Sequence, residues 1–306
     1  MAYLDLMNEK FPIRKSKIQK EAFRAWVMEE AARLGYDQAE VSKKGSSNNV
    51  VIGKPEEAQA IFTAHYDTPP VMPVPNFITP CNVGVYLVYQ IGIVLALVLI
   101  CVGAGALANL LAGSDKVGYV LGYVMYMVAL VWMMFGPANK HNANDNTSGV
   151  AAVLETMALL TPEERSKAAF ILFDNEEKGL LGSGAFASKH KKLKKEAFLV
   201  NMDCVGLGET ILFFARKKTR ALPKYDLLVE AVGAQEGRKV EWKKLEKCRY
   251  PSDQNNFTHG IAVNSCKHSK LVGYYCDKIH TKHDTYADQG NIDFIARGLK
   301  AFVEKL

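Results

Sequence analysis

Between charged positions along Ser16–Leu34, apolar side chains recur at helical spacing (Ile18, Ala22, Phe23, Trp26, Val27, Ala31), which predicts an amphipathic helix. Short runs with β character follow at Ala39–Lys43, Asn49–Ile52 and Ala58–Ala64. Then the pattern changes. Val83–Leu107 and Val117–Gly136 are apolar throughout, and between Asn82 and Ala138 the only charges are Asp115 and Lys116. Roughly 20 apolar residues cross a bilayer core as a helix, so each run predicts a transmembrane span. The turn between them, Ala112–Lys116, is too short to be a domain. After Lys140 a soluble pattern resumes. It predicts helices over Asn146–Leu160, Leu180–Leu193, Tyr225–Ala234 and Ile292–Leu306. It predicts strands over Ala168–Phe173, Ala197–Met202, Ile211–Ala215, Ile261–Ser265 and Leu271–Tyr275. Alternating strands and helices imply an α/β sheet with helices on both faces. Residues 1–80 and 138–306 read as one catalytic domain, and residues 81–137 as a helical hairpin inserted into it.

Composition adds orientation. The 306 residues carry a formal net charge of +6, almost wholly outside the apolar stretch. No aromatic-basic recognition motif accompanies the charge, so nucleic acid is not an expected partner and a lipid surface is. The N-terminus has no apolar core followed by a small-residue cleavage site, so no signal peptide is read. The six cysteines form no CxxC pair, which suits a reducing compartment. Two spans return the chain to the side it left. The basic residues lie on that side, which places the catalytic part in the cytoplasm. Gly103, Ala104, Gly105 and Ala106 are small enough to let the two helices approach. Self-association through the hairpin stays open.

Five acidic or imidazole positions fall at strand ends or helix starts, the edge where open α/β sheets bind ligands. They are His65-Tyr66-Asp67, Asn144–Gly149 with Asp145, Asp174–Glu177, Asp203, and His280–Thr285. Each alone has an ordinary explanation. A run of Asn, Asp, Thr and Ser is what a helix cap needs, and adjacent acids often sit in solvated turns. Together, two His and three carboxylates with one Glu to spare are a ligand set for two zinc ions.

The order HxD, NDNTSG, EE, D and HTxxDT, with Ser252–Phe257 resembling an SDHxxF segment, resembles the di-zinc aminopeptidase family. That family includes bacterial leucyl aminopeptidases and aminopeptidase Y, with glutamate carboxypeptidase as a relative. The resemblance implies a zinc-exopeptidase, phosphorylase/hydrolase-like fold: a mixed, mostly parallel central sheet flanked by helices. It implies two co-catalytic Zn2+ ions, with Asp145 bridging them. His65 and Asp203 would complete one site, Glu177 and His280 the other. Glu176 would be the general base acting on a metal-bound water, and Asp67 would orient His65. Substrates would be peptides with a free amino terminus. Two departures stand out: 79 residues separate His65 from Asp145, and Gln254 occupies a position where His is common. Two alternatives are a glutaminyl-cyclase-like transferase with one zinc, and an inactive membrane-tethered binding protein.

Overall fold

The computed structural model describes residues 1–306. Strands β1 (Ala39–Lys44), β2 (Ser47–Ile52) and β3 (Ala60–His65) follow two helices, α1 (Tyr3–Lys10) and α2 (Lys17–Arg33). Ser16 caps α2 by accepting the Gln19 N–H, and the Gln19 side chain returns the bond to the Ser16 N–H. Two long helices come next, α3 (Val83–Ala112) and α4 (Asp115–Phe135). The rest of the chain adds α5 (Gly149–Leu159), α6 (Pro162–Arg165), β4 (Ala168–Phe173), α7 (Leu181–Lys189), α8 (Lys191–Glu196), β5 (Phe198–Met202) and β6 (Thr210–Ala215). It closes with α9 (Lys217–Arg220), α10 (Pro223–Gly233), β7 (Lys239–Lys244), β8 (His259–Ser269), β9 (Gly273–Tyr275) and α11 (Gln289–Lys305).

All nine strands form one sheet in the order β1-β2-β4-β3-β5-β8-β6-β7, with β9 paired to β8. The centre, β4-β3-β5-β8, is parallel. The sheet as a whole is evenly mixed, because hairpin and return pairings make β1-β2, β2-β4, β6-β8 and β8-β9 antiparallel. β3, β4 and β5 are buried along their whole length, as continuous apolar runs between two helix layers require. The larger core lies on the face covered by α2, α5, α10 and α11, and a smaller one lies under α7 and α8. From β3 the chain goes to β4 on one side and later to β5 on the other, so the strand order reverses at β3. Ligand sites in such sheets form at that reversal, beyond the carboxyl ends of the strands.

Several elements differ from the sequence expectation. The helix expected from Asn146 begins at Gly149, because Asp145 and Asn146 are non-helical. The helix expected over Leu180–Leu193 is two helices broken at His190. β7 and α1 went unread, β7 because only Val240 and Trp242 are apolar among its six residues. In the hairpin, α3 runs five residues past the expected end, to Ala112.

α3 and α4 pack on each other and leave most of their apolar surface exposed, including Leu87, Ile91, Leu95, Leu99, Val124 and Val131. Both are long and apolar enough to cross a membrane. Their contact runs through Cys101, Gly105, Gly118 and Gly122, where a Cβ on any of the three glycines would strike the facing backbone. Of the small residues expected there, Gly105 is in the contact while Gly103 faces open space. The Asn109 side-chain oxygen accepts the Gly118 N–H at 2.6 Å, satisfying an amide in the first turn of α4. Gly118→Leu should therefore destabilise the hairpin by about 1–3 kcal/mol through overpacking. A dodecyl sulfate titration of the detergent-solubilised protein would show a lower midpoint, whereas Gly103→Leu should leave it unchanged.

Candidate metal centre

Three parallel strands deliver the centre. His65 ends β3, Asp203 follows β5, and the turn Glu176–Lys178 follows β4. Asp145 arrives on the segment before α5, and His280 on the loop before α11. The five candidate ligands, distant in sequence, converge. His65 Nε2 lies 3.4 Å from Asp145 Oδ1 and 3.8 Å from Asp203 Oδ1. His280 Nε2 lies 3.0 Å from Asp145 Oδ2 and 3.3 Å from Glu177 Oε2. Each Asp145 oxygen thus faces a different imidazole. Donor atoms of His65, Glu176 and Asp203, and likewise of His65, Asp145 and Glu177, lie within 4.8 Å of one another.

The donor set fits zinc. Zinc–N and zinc–O bonds of about 2.0–2.2 Å at tetrahedral angles put neighbouring donors roughly 3.3–3.6 Å apart. The observed separations bracket that spacing, and most are too long for good hydrogen bonds. His65 Nδ1, Glu177 Oε1 and Asp203 Oδ1 are buried with no hydrogen-bond partner in the chain. Buried polar atoms are normally paired; the orphaned Glu177 and Asp203 oxygens belong to residues of the donor cluster, as a cation-binding site leaves them, while His65 Nδ1 lies on the far edge of its ring, toward Asp67.

Charge points the same way. Burial pushes the Glu176 and Glu177 carboxyls well above the ordinary range, and neighbouring carboxylates push them further. Burial would raise Asp145 too, but the imidazoles of His280 and His65 outweigh it and hold that carboxyl low. Asp253, from the Ser252–Phe257 segment, is fully buried with both oxygens unpartnered, and burial raises it to about 7.

The surrounding loops are held by residues that pattern reading did not single out. Fully buried Arg14 donates to the carbonyls of Tyr66 and Phe11, to Asn142 Oδ1 and to Thr147 Oγ1. Lys20 Nζ pairs with Asp174 Oδ1 at 2.5 Å and Asn175 Oδ1 at 2.8 Å, just before the Glu176 turn. Asp284 Oδ1 and Oδ2 accept the N–H groups of Asn144 and Asp145 at 3.0 and 2.9 Å. Asn146 joins the Asp145 segment to the β5 end, bonding Met202 O and the N–H groups of Cys204 and Gly149. The capping expectation for this motif holds only there; Ser148, at the start of α5, bonds Val205 instead.

Asp67 sits 3.6 Å from His65 Nδ1, beyond a firm hydrogen bond, and accepts the backbone N–H groups of Glu176 and Glu177 at 2.9 and 3.3 Å. It therefore fixes the acidic turn more directly than it orients the imidazole. Gln254 is buried away from solvent, bonded to Asn201 and Tyr250 O. Of the histidines set aside, His190 pairs with Glu56 and stacks on Phe186, and His283 is exposed. Among the four non-glycine residues with positive φ, Asn175 precedes Glu176, Cys204 follows Asp203, and His280 is itself a candidate ligand. Such strain persists where surrounding contacts enforce it, commonly at functional sites.

A family model for peptidase family M28 matches residues 115–303, more than half of the chain. The chain belongs to peptidase family M28. The matched stretch contains Asp145, Glu176, Glu177, Asp203 and His280, and begins after His65. As an M28 peptidase the chain is by class a hydrolase, and the resemblance read from its motifs holds at the level of the family. The fold is similar to that of the LapA aminopeptidase from Legionella pneumophila, with TM-score 0.57 and 16% identity over 99% of this chain and 69% of that one. It is similar to a Zn-dependent exopeptidase from Parabacteroides distasonis, with TM-score 0.59 and 15% identity over 98% and 95%. It is also similar to Porphyromonas gingivalis glutaminyl cyclase, with TM-score 0.60 and 13% identity over 99% and 96%. No curated protein matches the M28 chain in sequence.

Two outcomes follow from the supporting contacts. Asp284→Ala frees the Asn144 and Asp145 amides and should weaken zinc binding about 10–100-fold in a competition titration, as loss of outer-shell partners does. Arg14→Met leaves the buried Tyr66 carbonyl without its donor, removes the bonds to Asn142 and Thr147, and removes the cation beside Asp67 and Asp145. It should cost about 3–5 kcal/mol in urea unfolding.

Proposed function

We propose that the chain is a two-zinc aminopeptidase whose catalytic unit, residues 1–80 and 138–306, is tethered to the bilayer by the hairpin 81–137 and faces the cytoplasm. The observation that carries this reading is Asp145, buried with one oxygen toward His65 and the other toward His280. In this reading His65, Asp145 and Asp203 hold one zinc, and Asp145, Glu177 and His280 hold the other. Bound zinc supplies Lewis acidity and a water acidic enough to react near neutral pH.

The chain's own residues do the rest. Glu176 places its carboxylate within 4.8 Å of His65 and Asp203 donor atoms, on the partly open side of the centre. There it takes a proton at a carboxylate oxygen and returns it to the leaving amine nitrogen. Asp67 keeps the Glu176-Glu177 turn in register through two backbone bonds.

The glutaminyl-cyclase-like fold is the observation behind a second reading, a one-zinc transferase using Asp145, Glu177 and His280. The unpartnered buried Asp203 oxygen, 3.8 Å from His65 Nε2, supports the two-zinc reading, since a single site of Asp145, Glu177 and His280 would leave it without a role. Glu176→Gln should lower kcat on an aminoacyl-coumarin substrate by about 10²–10⁴-fold while zinc stays bound. Unchanged turnover would remove Glu176 as the base. Ring closure of an N-terminal glutamine, with ammonia released and no hydrolysis of other peptides, would favour the transferase.

A further inference from the structure

The base of the hairpin adjoins the candidate centre. Pro70 pairs with Ala138, the Met72 N–H donates to His280 O at 2.7 Å, and Asn139 Nδ2 donates to Thr281 O at 2.9 Å. Between this base and the His280 loop lies an apolar cavity of about 760 Å³. Ile93, Leu97 and Ile100 of α3 form one wall, Trp132 and Met133 of α4 another, and the stretches at 71–74 and 281–283 the third.

The cavity lies where the helices leave the domain. The Tyr89 hydroxyl donates to Pro75 O at 2.8 Å, Gln90 reaches Asn76, and the Tyr89 ring packs on Phe77 at 5.2 Å. These contacts tie the first turns of the 30-residue α3 to the domain. What remains from Ile93 to Ala112 is about 20 residues, the length of one span, and close to the 21 residues of α4. At 1.5 Å per residue, Ile93–Ile100 covers only roughly the first 10 Å of that span. The cavity therefore opens at the level of the bilayer surface, continuous with exposed apolar helix faces on one side and with the His280 loop on the other.

We propose that this cavity receives the apolar residues that follow the scissile bond in a membrane-embedded peptide, which reaches the centre sideways from the bilayer. The inference rests on the aminopeptidase and membrane readings above. The chemistry of the centre selects the occupant. A peptide of this kind brings an amide bond next to an apolar segment, matching a peptidase centre beside an apolar cavity. An acyl chain would fill the cavity but bring no amide to the centre.

The test uses the full chain in phosphatidylcholine vesicles with two substrates. One is soluble leucyl-aminomethylcoumarin. The other is a leucine-rich peptide of about 20 residues with a free amino terminus, incorporated in the bilayer. Ala96→Trp and Ala129→Trp fill the cavity from different helices, so a folding failure in one leaves the other informative. Each should keep coumarin turnover within about twofold and lower peptide turnover about tenfold or more, as blocking an apolar subsite does. Unchanged peptide turnover, or an equal fall on both substrates, would overturn the inference. So would a photo-crosslinker at Ala96 that captures phospholipid and no peptide. A wild-type protein active on the coumarin but not on the bilayer peptide would sink this inference alone. One inactive on both would sink the aminopeptidase reading with it.

Discussion

Carboxylates gathered in a buried site repel one another and lose the solvation that charge requires, so they need counter-charge at close range. Asp145, Glu176, Glu177 and Asp203 are in that position. The nearby fixed cations, Arg14 and Lys20, are committed elsewhere: Arg14 to loop carbonyls and side chains, Lys20 to Asp174 and Asn175. A divalent cation bound among these donors would answer that constraint. The architecture follows from holding donors in place against their own repulsion. β3, β4 and β5 fix three of the approach directions, Asp284 and Asn146 fix the Asp145 segment, and Asp67 fixes the acidic turn.

How much of this could be read from the residues depends on the range of the signal. His65, Glu176-Glu177 and Asp203 were legible because each directly follows a continuous apolar strand, and the end of such a strand in an α/β sheet is where ligands bind. Asp145 was legible from its motif, though its helix starts at Gly149 because Asn144, Asn146 and Ser148 bond across to the 202–206 segment. Arg14, Lys20 and Asp253 were not. Arg14 and Lys20 look like ordinary surface cations in a basic N-terminal stretch, and most of the partners that bury them lie far along the chain: Tyr66, Asn142 and Thr147 for Arg14, Asp174 and Asn175 for Lys20. Asp253 was quoted as part of a segment, while its burial beside Glu176 depends on how that segment folds over β5. β7 escaped because its apolar face is only two residues, Val240 and Trp242, set among four charged ones, too short an alternation to stand out.

The hairpin was legible by length and composition, and its consequence was not. A chain that leaves after β3 and returns just before Asp145 must close its base beside the centre, and backbone bonds at Pro69, Val71 and Met72 do so. The same loop then carries a candidate ligand, His280, on one side and lines the hairpin cavity on the other. In this account the hairpin and the candidate centre share the His280 loop, and membrane proximity is part of how substrates are presented.

The central claim is that one buried carboxylate joins two metal sites. The direct measurement is an equilibrium zinc titration of chelator-stripped protein with metal content determined per chain, on the wild type and on Asp145→Ala. Two tightly held zinc ions per wild-type chain, with both weakened together in Asp145→Ala, is the predicted result. A single zinc in the wild type, or one zinc retained at wild-type affinity in Asp145→Ala, would contradict it.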